Sequence, residues 1–366
     1  MDSIETTQWE EAVLQGGYSD AMPMKCVDTA IGGDMGSSES DFEVTEIPAY
    51  MPCGTGNHLY LWVEKRGKST QDVTRAIERA FGVREIDVGC AGKKDVHAIT
   101  RQWISVQYEG DGRDVIDALN EKNAGFRILK TSRHTNKLRM GHLIGNRFSV
   151  KLYGVTADDA AIARSCARMM DEGFLNYFGR QRFGFDGSNV AQGIRILCGG
   201  RANHQMKKLY ISALQSAIFN LNLGRRYLES GETVYQGDVM QKMNSGCFIC
   251  DDPETDNARV KRREIVITLG LPGKKIMRGR GRSLAQEDAV LEAFQAFWSS
   301  HDDASDLDIS QLSRFADGAR RSMWVFPENV SFERMDDDGA RLDFALPSGC
   351  YATVFLRQLC GSSFTR

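Results

Sequence analysis

The most informative segment of the chain, residues 89–103, reads GCAGKKDVHAITRQW. One carboxylate, Asp95, lies there among small and basic residues, between two apolar stretches. Glycine lets the backbone turn sharply and approach a ligand closely. Lys93, Lys94 and Arg101 would hold Asp95 ionised, because nearby cations lower the pKa of a carboxyl group. A loop of this kind suits nucleophilic chemistry on a bound polyanion. The alternative is a solvated turn with an ordinary salt bridge.

The same segment does not form a phosphate-binding loop. Its glycine spacing is wrong, and neither serine nor threonine follows the lysine pair. A nucleotide-hydrolysing enzyme is therefore disfavoured.

Length and composition limit the class of protein. With 366 residues the chain is long enough for two domains. No apolar run reaches the roughly 18 residues of a membrane span, and the acidic start, residues 1–5, is no secretory signal. Nine scattered cysteines fit free thiols in a reducing compartment. This favours an intracellular protein of the cytoplasm or nucleus, with an organelle such as the mitochondrion left open if the start is trimmed. The net charge of −3 argues against non-specific coating of nucleic acid, but it leaves room for a local basic groove.

Hydrophobic periodicity predicts an irregular alternation of strands and helices. The predicted strands are residues 42–47, 59–65, 103–108, 148–153 and 341–346, and the predicted helices are residues 70–81, 157–170, 209–228 and 283–298. Residues 351–357 fit a strand or a helix. Residues 1–40 look weakly structured and flexible, and residues 237–281 form a polar stretch with turn residues. The pattern indicates an α+β protein in which one domain is interrupted by another.

Several motifs, in a fixed order, carry a family resemblance. They are residues 41–46, 54–60, 91–95, 133–148, 176–184, 212–220 and 346–353. Together they resemble the TruD family of tRNA pseudouridine synthases, in which an Ala-Gly-x-Lys-Asp run carries the catalytic aspartate. The resemblance extends from about residue 41 to the end of the chain.

The resemblance implies a fold, a division into domains and a reaction. Residues 41–172 and 326–366 would form the catalytic domain with the pseudouridine synthase fold, a mixed, largely antiparallel sheet with flanking helices. Residues 173–325 would form an inserted α/β TRUD domain, with RNA in the cleft between the two. The reaction isomerises a flipped-out uridine in structured RNA, by analogy position 13 of tRNA. We therefore expect RNA as the partner, with tRNA ahead of rRNA. We further expect a monomer that does not associate with a membrane and needs neither a metal nor an organic cofactor.

The resemblance also assigns site residues. Asp95 would be catalytic, Asn146 would offer a donor and an acceptor to the uracil edge, Phe148 a face for stacking, and Tyr351 would pack against the base. The cations expected to bind the RNA are Lys93, Lys94, Arg101, Arg133, Lys137, Arg139 and Arg182. From the residues alone, Phe148 fits a core strand, Tyr351 an ordinary buried tyrosine, and the cations a solvated face.

A second basic stretch lies in the inserted segment. Its cations are Lys261, Arg262, Arg263, Lys274, Lys275, Arg278, Arg280 and Arg282. It fits either an edge facing RNA or a mobile, solubilising loop. The pair Cys247 and Cys250 lacks the second pair of ligands that a zinc site needs.

The chain departs from the family at two positions. Gly36 stands where the family usually has a lysine that belongs to its active-site electrostatics, and Arg180 stands where an uncharged or acidic residue is common. The departure at Gly36 keeps a second hypothesis open. In that hypothesis the chain is an RNA-binding assembly factor, acting on rRNA, whose catalysis is weak or dispensable.

Overall fold

A computed structural model describes residues 6–25, 30–122, 124–184, 186–242, 246–335, 339–362 and 364. The helices, in chain order, are α1 (Gln8–Gly16), α2 (Thr70–Phe81), α3 (Arg113–Glu121), α4 (Asp159–Glu172), α5 (Ser188–Leu197), α6 (His204–Ser230), α7 (Pro253–Lys261), α8 (Gly281–Ser299), α9 (Leu312–Phe315) and α10 (Ala352–Cys360). The strands are β1 (Gly32–Met35), β2 (Phe42–Pro48), β3 (His58–Arg66), β4 (Val88–Cys90), β5 (Ile99–Gln107), β6 (Phe126–His134), β7 (Leu143–Val155), β8 (Phe174–Leu175), β9 (Val239–Lys242), β10 (Cys247–Ile249), β11 (Ile265–Leu271), β12 (Ala319–Ser322), β13 (Trp324–Val325), β14 (Glu328–Met335) and β15 (Gly339–Pro347).

The chain divides into two compact units. The sheet unit comprises Val27–Gly173, Phe326–Ala352 and Leu359–Arg366, and the helical unit comprises Met1–Cys26, Phe174–Val325 and Thr353–Gln358. The resemblance implies an inserted segment at residues 173–325; the helical unit holds Phe174–Val325 and, outside that segment, Met1–Cys26 and Thr353–Gln358.

The sheet unit is built on a nine-stranded sheet. Its strands follow the order β14-β15-β7-β2-β5-β3-β6, with β1 beside β7 and β4 beside β5. Neighbouring strands are antiparallel except β2 and β5, which are parallel. Together with the helices, this largely antiparallel sheet confirms the predicted α+β fold.

One face of this sheet is covered by α2 and α3. Ser69 caps α2 through its side chain, and Val73, Ile77 and Phe81 recur at helical spacing on the buried side. They pack against Leu61 and other apolar residues of β3 and β5. Burial of each such side chain contributes about 1.5–3 kcal/mol, so this layer holds α2 firmly against β3 and β5.

The helical unit is organised around α6, 27 residues long and buried along much of its length. A four-stranded sheet of order β10-β9-β11-β12 belongs to the same unit. Arg226 of α6 forms a buried ion pair with Asp238, with an N–O distance of 3.0 Å.

Two sequence predictions about loops are wrong. Residues 1–40 contain the helix α1, with Val13 and Leu14 buried, and the strand β1, which pairs with β7. Residues 237–281 contain α7 and three strands, of which β11 is buried along nearly its whole length. Residues 351–357, for which the sequence fits either a strand or a helix, belong almost entirely to the helix α10. In the described part of the chain, no helix combines the length and the apolar character that crossing a membrane requires.

Candidate active site

The candidate site lies where one edge of β5 changes its partner. Along its other edge, β5 pairs with β3 from end to end. On the site edge, β2 pairs with Ile99–Arg101 in parallel, and β4 pairs with Ile104–Val106 in antiparallel orientation. Because β2 and β4 therefore run toward each other, both leave the edge at Gln102 and Trp103. Residues 91–95 leave the sheet at this gap.

The loop that follows β4 is held by side chains of α2 and β5. Gln102 donates from Nε2 to the carbonyl of Gly92 at 3.0 Å and accepts at Oε1 from the Thr70 hydroxyl at 3.1 Å. The same hydroxyl accepts from the backbone N–H of Lys94 at 3.0 Å. Just before this loop, a side chain at Gly89 of β4 would overlap the carbonyl oxygen of Leu138, so the strand needs glycine there. These bonds fix the backbone on both sides of Lys93.

Asp95 stands at the end of this fixed loop, half-buried. Its backbone carbonyl accepts a hydrogen bond from Nζ of Lys65 at 2.5 Å. Among the described residues, its carboxylate has no hydrogen-bond partner and no ion pair. The backbone is therefore tied down while the carboxylate stays available to a ligand.

Lys94 does not point into solvent but joins the buried Glu46 to the half-buried Asn146. Its Nζ donates to Oδ1 of Asn146 at 2.5 Å and lies 3.4 Å from Oε2 of Glu46. The other carboxylate oxygen of Glu46 accepts from the backbone N–H of Trp103 at 3.2 Å. Burial raises the pKa of Glu46 and lowers that of Lys94, and the attraction between the two charges opposes both shifts.

Asn146 and Phe148 lie on the same face of β7, as the alternation of the strand requires. The Phe148 ring is only 5% exposed and lies between Phe42 and Phe344, with centroid distances of 5.9 and 5.2 Å. This placement matches the core-residue alternative, since both ring faces have aromatic neighbours. A stacking contact between Phe148 and a base stays a prediction.

Arg101, which the sequence analysis placed near Asp95, forms ion pairs with two other carboxylates. It bonds to two carboxylates, Glu43 at 2.9 Å and Glu64 at 2.7 Å. Strand alternation puts its side chain on the face of β5 opposite to Gln102, which holds the loop of Asp95. An influence of Arg101 on Asp95 stays a prediction, and sequence proximity alone, without the side-chain period of the strand, could not show that Arg101 pairs with Glu43 and Glu64.

The other predicted cations occupy several places. In the sheet unit, Arg133 donates to the carbonyl of Tyr108 and Lys137 to that of Ile86, whereas Lys93 and Arg139 are exposed. Arg182 belongs to the helical unit, where its guanidinium bonds to Ser212 and Ser216. These positions leave RNA binding by each of them a prediction.

Tyr351 is half-buried in the sheet unit, directly before α10. A contact between Tyr351 and a base also stays a prediction. Among the described residues, no group of three histidine, cysteine or acidic side chains is arranged to hold a metal ion.

The second basic stretch is partly paired with acidic residues, and its binding of RNA stays a prediction. Three of its arginines form ion pairs, Arg262 with Glu264, Arg278 with Asp288, and Arg282 with Glu229. Arg180, at the other departure from the family, pairs with Asp20.

Sequence reasoning missed two residues of the site, Lys65 and Glu46. Both were visible as charged residues at positions where the strand period requires an apolar side chain. Lys65 follows Leu61 and Val63 on the covered face of β3, and Glu46 follows Phe42 and Val44 on β2. A charge on a covered strand face is costly, so it indicates a buried polar network.

Comparisons with known proteins agree with these observations. Residues 23–199 and 200–359 match the family model described as tRNA pseudouridine synthase D (TruD). The tRNA pseudouridine synthase D of Anaeromyxobacter dehalogenans (strain 2CP-C) is 39% identical over 339 residues, covering 90% of this chain and 93% of that protein. The protein of the same name from Thermus thermophilus is 36% identical, covering 90% and 89%.

A solved structure shows the same fold. The crystal structure from Methanosarcina mazei assigned to tRNA pseudouridine synthase D superposes with a TM-score of 0.70 and covers 98% of each chain at 20% identity. The family match and the extent of the similarity to its members lead to one conclusion: the chain belongs to the TruD family of tRNA pseudouridine synthases.

Proposed function

We propose that this protein isomerises a uridine in tRNA to pseudouridine, with Asp95 as its catalytic carboxylate. The observation that carries the proposal is the combination of a fixed loop backbone with a carboxylate that makes no bond within the described structure. The names of the relatives, tRNA pseudouridine synthase D, support tRNA as the substrate.

A stacked uracil is out of reach of a protein carboxylate, so the nucleotide must first flip out of the RNA, at a cost of a few kcal/mol. Asp95 then acts on the ribose, either by attack on C1′ or by promoting elimination to a glycal. The bond from C1′ to N1 breaks, the uracil turns, and a bond from C1′ to C5 forms. C5 loses a proton and N1 gains one. Substrate and product are therefore isomers, and the atom balance requires no cofactor.

Asn146 is suited to hold the base during this rotation. Lys94 donates to its Oδ1, so the carboxamide is oriented and its Nδ2 is the group left to donate. A donor at this place can bind a carbonyl oxygen of uracil. Because the amide is held before the base arrives, little conformational freedom is lost on binding.

We propose that the protein is an active enzyme although Gly36 stands where the family usually has a lysine. A Cβ atom at this position would lie 2.6 Å from Cγ of Asp41 and 2.6 Å from the ring of Tyr153. The local packing of this chain thus favours glycine at position 36, and Lys65 and Lys94 supply positive charge near Asp95 instead.

Release of tritium from C5 of uridine in labelled tRNA transcripts measures the reaction directly. We expect release by the wild-type protein and a loss of at least about 10³-fold in the Asp95→Asn variant. Asp111→Asn, a matched change on an exposed loop of the same unit, should keep the wild-type rate. Carbodiimide mapping of RNA from cells that carry either variant identifies the uridine, with position 13 of tRNA expected.

Absence of release by the wild-type protein, with a site map unchanged by the substitution, would refute the enzymatic proposal and favour the RNA-binding assembly factor acting on rRNA. Equal, measurable release by the wild-type and Asp95→Asn proteins would refute the role of Asp95 alone.

A further inference from the structure

Lys65 is an unusual lysine because it is almost completely buried. Its exposure is 2%, and it lies near the end of β3, paired with Thr100 of β5 and Phe126 of β6. Because β3 pairs with a strand on both edges, the lysine projects from an internal strand of the sheet. Taking an ammonium group out of water costs several kcal/mol unless partners compensate for the lost hydration.

Within the described structure, few contacts of Lys65 offset the cost of removing its ammonium group from water. Its one hydrogen bond to a described residue goes to the carbonyl oxygen of Asp95 at 2.5 Å, and no described carboxylate lies within ion-pair distance of its Nζ. The neighbouring Thr100 hydroxyl is also buried and makes no hydrogen bond in the described part of the chain. A structural role alone does not account for a cation in this place, because an apolar side chain would avoid the cost of burial.

Three charged groups on two segments influence the protonation of Lys65. Asp95 on the site loop and Glu39, which precedes β2, favour its charged form, and Lys94 on the loop disfavours it. Burial is the largest influence, and together these effects lower the pKa of Lys65 to about 8. The ammonium form is therefore present at neutral pH and is lost under mildly alkaline conditions.

We propose that Lys65 is a positioning residue for the isomerisation: its ammonium group ties the backbone of Asp95 to β3 and places a positive charge beside the carboxylate. This inference rests on the proposed function of Asp95. The bond fixes the residue that would carry the reactive group to a strand that is paired on both edges. Displacement of a reacting group by about 1 Å can lower a rate about 100-fold.

Lys65→Met tests this role because methionine keeps the length of the side chain and removes its charge and its donor. We expect the single-turnover rate to fall about 100-fold, while the free energy of unfolding stays equal or increases. Lys68→Met is the matched control, because Lys68 is exposed three residues further along the chain. It should leave both quantities unchanged.

The pH dependence of the rate and of the free energy of unfolding distinguishes a positioning role of Lys65 from a role in packing. The wild-type rate should fall as the pH rises through about 8, since Lys65 then loses its proton. Because the pKa in the folded state is below the ordinary value of 10.5, the wild type should gain stability relative to Lys65→Met between pH 8 and 10.5. Rate and stability thus change in opposite directions. Lys65→Arg, which keeps its charge, should move the alkaline fall to higher pH.

The outcomes distinguish this inference from the proposed function. If the wild type releases no tritium from tRNA, the proposed function fails. If the wild type is active and Lys65→Met matches Lys68→Met in rate, only the role of Lys65 is overturned. A loss of stability in Lys65→Met with an unchanged rate per folded molecule would likewise overturn it and show that the residue serves packing.

Discussion

Nζ of Lys94 donates a hydrogen bond to Oδ1 of Asn146, across a distance of 2.5 Å and between segments 52 residues apart. The bond joins the loop that carries Asp95 to the strand β7. It also brings the lysine within 3.4 Å of the Glu46 carboxylate. One ammonium group therefore orients an amide and neutralises a buried acid.

Lys94→Met should destabilise the protein because it leaves the Glu46 carboxylate buried without its cation. Removal of one partner of a buried ion pair costs about 3–5 kcal/mol. The loss should become smaller as the pH falls, because burial raises the pKa of Glu46, so the folded state takes up a proton more readily than the unfolded state. Urea unfolding at pH 7 and pH 5 measures both effects.

A double variant, Lys94→Met with Glu46→Gln, separates stability from activity. It should recover most of the free energy of unfolding, yet it should not recover the rate of tritium release, because Asn146 is no longer oriented. Recovery of both would show that Lys94 serves only to neutralise Glu46.

Arg101→Gln and Arg139→Gln should affect RNA binding differently. Arg101 is bonded to two carboxylates, whereas Arg139 is exposed and has no ion pair among the described residues. Removal of one phosphate contact reduces the slope of log K against log salt by about 0.7–0.9. We expect this reduction for Arg139→Gln and none for Arg101→Gln, measured as tRNA affinity between about 50 and 200 mM salt. Equal reductions in both variants would contradict the division of roles.

Gly36→Lys should destabilise the protein and should not raise its activity. The new Cβ would collide with Asp41 and with the Tyr153 ring, and overpacking of this kind costs about 1–3 kcal/mol. Gly36→Ala introduces the same collision without a charge and serves as the control. Comparison of thermal unfolding and tritium release for the two variants isolates the effect of the charge. A higher rate in Gly36→Lys than in Gly36→Ala would mean that the missing lysine limits the natural protein.

Cys53 should be the most reactive of the described thiols near neutral pH. It is exposed, and hydrogen bonds with Thr55 and His134 lower its pKa to about 7. Burial raises the pKa of Cys166 to about 11 and that of Cys250 to about 12. The thiolate is the reactive form, so alkylation by iodoacetamide should increase through pH 7. Mass mapping of the labelled peptides should find Cys53 modified first, and Cys53→Ser should remove this fast phase. A fast phase on Cys166 or Cys250 would contradict the assignment.

The sequence predicted the sheet unit well because its elements carry clear periods. Phe42, Val44 and Glu46 alternate with more exposed residues, and α2 shows both its cap at Ser69 and its apolar stripe. The same reasoning failed in the segment that contains β11, since a short strand buried on both faces lacks alternation and its polar flanks resemble a loop. It also failed for α1, whose burial depends on contacts with α6, nearly 200 residues away.

The sequence proposed residues for the candidate site but could not give the geometry of the site. A resemblance identified Asp95 and Asn146, yet spacing along the chain could not show which face of β5 receives Arg101. Nor could it show that Lys65 reaches the loop from β3. Contacts between distant segments depend on strand register, which a single sequence specifies only through the hydrophobic pattern.

Under the proposed role of Asp95, the central position of β5 ties activity to the assembly of several elements at once. The loop of Asp95 is fastened by Thr70, Gln102 and Lys65, which come from α2, β5 and β3 and meet only when α2 and β3 have both docked on β5. A partly assembled sheet can therefore hold native strands and still bind no base productively. Inactivation by denaturant should coincide with the loss of strand pairing at Gln102, and no active intermediate should accumulate.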